Sequence, residues 1–90
     1  MWSVDEIIEM LEDLNRRATY GAVAAVAGGI ALGVMQGRPR TMRNSWVVAK
    51  KNGLPTGYSK DELHPRLHAD RNVISRGHEL RSLLGKWINQ

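Results

Sequence analysis

The chain of 90 residues contains no cysteine. Disulfides, thiolate nucleophiles and cysteine-ligated metals are thereby excluded, and the absence fits a reducing cytoplasm. No basic-then-apolar export signal opens it, because Met1 leads directly into an acidic, helix-patterned segment. Signatures of common catalytic sites are missing too: there is no G-x-S-x-G, no P-loop and no paired-glycine dinucleotide motif after a strand. Nor is there an apolar run long enough for a bilayer, which needs about 20 residues. The least polar stretch, Thr19 to Gln36 (TYGAVAAVAGGIALGVMQ), is shorter and rich in alanine and glycine. It is also closely flanked by Arg16, Arg17, Arg38 and Arg40. No membrane partner, enzymatic activity, cofactor or small-molecule substrate is expected.

Negative charge is scarce after the first 13 residues. Those hold five of the nine acids: Asp5, Glu6, Glu9, Glu12 and Asp13. All thirteen lysines and arginines follow, against only Asp61, Glu62, Asp70 and Glu79, so residues 14–90 carry a net +9. An acidic start and a basic remainder point to a polyanionic partner. Chain length and a 42% hydrophobic content allow one domain with a modest core over residues 1–90.

The histidines offer little chemistry. His64 and His68 have helical i,i+4 spacing, but Pro65 between them opposes a helix and no third ligand stands out. They read as surface residues, and no metal site is expected. Ser75, His78 and Glu79 are neighbours only because a helix starts there, so a nucleophile–base pair is not indicated.

Ser3 and Glu6 have capping-box spacing before an apolar stripe of Val4, Ile7, Ile8, Leu11 and Leu14. A first helix over 3–17 follows, with Trp2 stapled near Ile7. Thr19 is positioned to cap a second helix to about Ala27, ended by Gly28-Gly29. A third, from about Ile30 to Gln36, stops before Gly37-Arg38-Pro39. Ala24 lies four residues before Gly28 and Val34 six after it. That is the small–turn–apolar spacing of a helix-turn-helix, although a packed helical hairpin without nucleic acid shares it. Ser45–Ala49 reads as a strand with Trp46 in the core, Lys50-Lys51-Asn52-Gly53 as a hairpin turn, and Leu54–Tyr58 as a returning edge strand. Two strands and a basic turn after a helix-turn-helix make a wing. Ser59–Glu62 repeats the capping-box spacing over one helical turn. A short strand at 72–75 precedes a last helix to Ile88, with Leu80, Leu83, Leu84, Trp87 and Ile88 as its stripe.

The expected fold is α+β, a small winged helix-turn-helix domain. Arg38, Arg40 and Arg43 after the Ile30–Gln36 helix and Lys50 and Lys51 at the wing tip would flank one groove of a duplex and contact phosphates. Thr19, Tyr20 and Gln36 would lie at that groove. Gln36 is the one polar side chain of the Ile30–Gln36 helix, so shape and backbone contact should outweigh base readout. The alternative is a protein-interaction module on the same scaffold, since an uncharged helix there also suits a protein partner.

The stretch Thr19-Tyr20-Gly21-Ala22-Val23-Ala24-Ala25-Val26-Ala27-Gly28 resembles the TYG-x-[IV]-A-x-L-A-G segment of alkylguanine-DNA alkyltransferases and alkyltransferase-like proteins. Ser45-Trp46-Val47-Val48, then Asn52-Gly53-Leu54 and Thr56-Gly57-Tyr58, resembles more loosely that family's PCHRVV and GGY segments. The resemblance covers roughly residues 19–58. It implies a winged helix-turn-helix that binds the DNA minor groove, flips an alkylated guanine into a pocket, and places Tyr20 near a phosphate. The family's reactive cysteine falls near Asn44, so alkyl transfer is excluded and a non-catalytic damage sensor is what remains. The family's intercalating arginine falls at about Leu32, and the segment after Tyr58 departs from the pattern.

Overall fold

The structure, a computed structural model, describes residues 2–90. Helix α1 spans Val4–Leu14. Ser3 Oγ accepts from Glu6 N at 3.1 Å, and Glu6 Oε1 accepts from Ser3 N at 2.9 Å, completing the expected capping box. Donation to the Glu6 carboxylate, from the Ser3 N–H first and the Ser3 hydroxyl second, holds it below its ordinary range. The box therefore contributes at pH values above that range and is lost on acidification. Asn15, with φ 53, closes the helix in the left-handed region.

A strand absent from the sequence reading follows at once: β1, Arg17–Thr19. Thr19 ends β1 and also caps α2, Tyr20–Ala27, its hydroxyl oxygen accepting from Ala22 N at 3.1 Å. β1 is central in a three-stranded, all-parallel sheet of order β2-β1-β3, with β2 at Val47–Val48 and β3 at Val73–Ile74. Ala18 pairs with Val47 on one side and Ile74 on the other. Parallel neighbours need long connections, and α2 lies in the one between β1 and β2. Short 3₁₀ turns at Arg43–Trp46 and Lys60–Glu62 lead into later segments, and α3 spans Gly77–Ile88.

The protein is thus a small α+β structure with three α-helices among the described residues. Two expectations change. Ile30–Gln36 is not a helix but a chain of turns, with Gly33 N bonded to Ile30 O and Gln36 N to Gly33 O, both at 3.1 Å. Seven residues with an internal glycine are too few to offset helix nucleation. Leu54–Tyr58 is not a strand, so no two-stranded wing forms. Asn52 Oδ1 accepts from Leu54 N and Gly53 adopts φ 68, curling the chain into a local turn. Pro55 has no N–H for a ladder, and β2 finds its partner in β1 instead.

Ile7, Ile8, Met10 and Leu11 of α1, Trp46 and Val47, and Leu80 and Leu84 of α3 form one buried cluster. Ile88, expected on the apolar stripe of α3, is exposed. The alanine-rich α2 packs closely on α3. A Cβ added at Gly77 would lie 2.8 Å from Ala25 Cβ. Neither group can yield without moving a helix. Gly77→Ala is therefore expected to destabilise the protein by about 1–3 kcal/mol, read as a lower thermal midpoint. An unchanged midpoint would show that the α2–α3 contact is loose.

Candidate nucleic-acid interface

Two adjoining lobes of a surface groove open beside the start of α2. One, of about 460 Å³, is lined by Tyr20, Ala31, Leu32, Met35, Gln36, Ala49 and Thr56. The other, of about 530 Å³, shares Tyr20, Met35, Gln36 and Thr56 and adds Arg38, Arg40, Tyr58 and Glu62, among others. The wall between Ala31 and Met35 is apolar, while the far end is cationic and hydroxyl-rich.

Local chemistry sets this groove. Tyr20 stands at the first turn of α2 because Thr19 caps it. Its Oη accepts from Thr56 N at 2.8 Å, tying the 53–58 segment to α2 and leaving the phenolic proton to be donated elsewhere. Gly37, with φ 81, reverses the chain so that Gln36 and Arg38 face the same cleft. Gly57, with φ 78, lets Arg40 lie close, since an added Cβ there would be 2.9 Å from Arg40 Nη2. Burial raises the Tyr58 phenol above its ordinary value, helped by the nearby Tyr20 and Glu62. Arg40 and a hydrogen bond with the Thr41 backbone oppose this. Tyr58 thus remains a neutral hydroxyl at neutral pH.

Of the eight residues singled out in the sequence, Tyr20, Gln36, Arg38 and Arg40 meet in this groove. Lys50 and Lys51 are exposed on the turn after Ala49, and of these three only Ala49 lines the groove. Thr19 does not line it, being buried with its hydroxyl oxygen engaged in the α2 cap. Arg43 lies apart as well, 3.1 Å from Glu12 of α1. Met35, Thr56 and Tyr58 were missed as site residues because the tertiary fold brings them in. Thr56 and Tyr58 carried a signal only through the Thr56-Gly57-Tyr58 resemblance, and Met35 carried none.

The acidic α1 also reaches the groove's cations, since Arg38 Nη1 sits 2.7 Å from Asp5 Oδ1. Exposed pairs of this kind contribute about 0.2–1 kcal/mol, so a phosphate can compete for the guanidinium. Asp5→Asn should tighten binding of a short duplex by at most about fivefold at low salt, read by fluorescence anisotropy. Weaker binding by the variant would mean that Asp5 orients Arg38 rather than masking it.

The histidine expectation needs correcting for His64. Its ring lies against Trp46 with centroids 4.7 Å apart, Nδ1 accepts from Arg66 N at 3.0 Å, and Nε2 is 4.0 Å from Glu12. It is a half-buried packing residue, while His68 is exposed. No family model, curated protein or solved structure matches the chain.

Proposed function

We propose that this chain is a non-catalytic binder of double-stranded DNA, related to the alkyltransferase-like proteins and sensing alkylated bases. In this reading the Ala31–Gly37 turns and the Lys50–Gly53 turn offer DNA the surfaces that a second helix and a wing offer in a winged helix-turn-helix. The observation that carries it is the convergence of Tyr20, Gln36, Arg38 and Arg40 on one groove.

The chemistry of that surface suits a duplex. Arginine and lysine neutralise phosphates, and the Tyr20 hydroxyl has a proton to donate to one. The apolar lobe walled by Ala31, Leu32, Met35 and Ala49 falls within the size range of small-ligand sites. It would seat an extruded base and favour the added alkyl carbon over water. Few side chains there can read an undamaged sequence, so affinity rests on backbone and shape.

The test is neutralisation of the groove cations. Each phosphate contact contributes a slope of about −0.9 in log K against log salt. Arg38→Gln with Arg40→Gln should therefore make the slope of duplex binding shallower by about 1.8 and weaken binding. Wild-type affinity and slope in the double variant would overturn the assignment of these residues.

A further inference from the structure

We propose that a surface cavity between the ends of α1 and α3 docks an acidic, apolar peptide segment of a partner protein. The cavity, of about 360 Å³, is lined chiefly by Leu14, Arg16, Asp70, Leu83, Lys86 and Trp87. It shares no lining residue with the groove beside Tyr20, so the inference stands apart from the duplex reading. The sheet assembles it. Arg17 pairs with Val73, which draws Arg16 and the Asp70 segment together beside the last turns of α3. Leu14, Leu83 and Trp87 are partly buried against the core and supply apolar surface. Trp87 Nε1 already donates to Asp13 Oδ2 at 3.0 Å, so the ring offers a ligand its face rather than its N–H.

The polar groups select the occupant. Asp70 is held in place: Oδ1 accepts from Asn72 N at 2.8 Å, and Oδ2 lies 3.2 Å from Arg16 Nε. That ion pair lacks a directed hydrogen bond, and Arg16 Nε is buried without a partner among the described residues. A buried donor in that state calls for an explanation. Lys86 is exposed and forms no ion pair among the described residues. The guanidinium fork of Arg16 and the point charge of Lys86 together suit one incoming carboxylate. Trp87 and Leu83 suit an apolar group beside it. Asp13 and Asp70 keep unused lone pairs, since a carboxylate has about four acceptor sites. A peptide brings all three complements: an acidic side chain, an apolar neighbour and backbone N–H donors. A nucleic-acid strand would set its repeated phosphates against Asp13 and Asp70. The volume is near the small end of the roughly 300–1,000 Å³ range of enclosed ligand sites, which fits one or two side chains of a longer segment. Ile88, next to Trp87, is 61% exposed and extends the apolar surface such a segment can cover.

The experiment titrates the protein with the acetylated, amidated tripeptide Leu-Glu-Leu, with Leu-Gln-Leu as its uncharged control, and follows amide and indole N–H signals by NMR. The expected result is saturable shifts at the Trp87 indole and the Lys86 amide with the glutamate peptide, and weaker binding of the glutamine peptide. Lys86→Gln should weaken the glutamate peptide by about two- to fivefold. Lys86 is exposed, so the fold should survive, and a thermal melt checks it. Equal binding of the two peptides, shifts that avoid Trp87, or no shifts at millimolar peptide would overturn the site. Shifts at Trp87 with a short duplex but not with the peptides would assign the cavity to nucleic acid and overturn it too. None of these results bears on the cations of the Tyr20 groove.

Discussion

Trp46→Ala is expected to leave the protein unfolded or barely folded at room temperature. Trp46 is fully buried at the junction of the Arg43–Trp46 turn and β2, within the cluster that joins α1 to α3. Its ring also carries the His64 contact. Truncating a buried aromatic to alanine costs about 3–5 kcal/mol. That is a large share of the roughly 5–15 kcal/mol that holds a small domain together. Trp46→Phe should be far milder. The indole Nε1 is buried without a hydrogen-bond partner among the described residues, so phenylalanine removes an unsatisfied donor along with some volume. Thermal melts by circular dichroism decide it. An alanine variant within about 1 kcal/mol of wild type would show that this side chain does not hold the core.

Arg17→Leu should produce the second large effect, on stability and site together. Arg17 opens β1 yet is buried, and its guanidinium donates to Gly53 O at 2.8 Å and Asp70 O at 3.1 Å. Burial pulls its pKa down and the charge of Asp70 pushes it back up. One side chain thus pins the turn after Lys50-Lys51 and the segment before β3 to the central strand. Leucine would leave two carbonyls without that donor, at about 2–4 kcal/mol in total. It would also release the turn that carries two of the proposed phosphate contacts. Arg17→Lys should fall between, because an ammonium lacks the planar fork that serves two acceptors at once. Urea unfolding reads the stability. Faster amide exchange at Leu54 reads the loosened turn. Unaltered exchange in the leucine variant would contradict the pinning role.

What the sequence disclosed depended on how local the determining interaction was. The three α-helices were legible because each has its own punctuation: the Ser3–Glu6 box, Thr19 before Tyr20, and the leucine stripe of α3. β1 was not legible. Three residues beginning with an arginine show no alternation, and its strand identity comes only from pairing on both sides. The Asn52-Gly53 turn was seen correctly, but a hairpin also needs antiparallel flanks, and Val47 and Val48 are taken by Ala18 and Thr19. Gly33 inside Ile30–Gln36 was the visible warning against a helix there. For the candidate site, charge located the cations, but not that Asp5 and Glu12 would hold Arg38 and Arg43. Spacing could not foretell that Thr56 would meet Tyr20 across 36 positions.

The central claim is that the groove beside Tyr20 binds duplex DNA through its cations. Fluorescence anisotropy of the wild-type protein on a short duplex, with and without one alkylated guanine, across a salt series, tests it most directly. Engagement of Arg38, Arg40, Lys50 and Lys51 predicts a slope of about −3.6 in log K against log salt, with tighter binding to the alkylated duplex. No binding at low salt, or binding indifferent to salt, would contradict it.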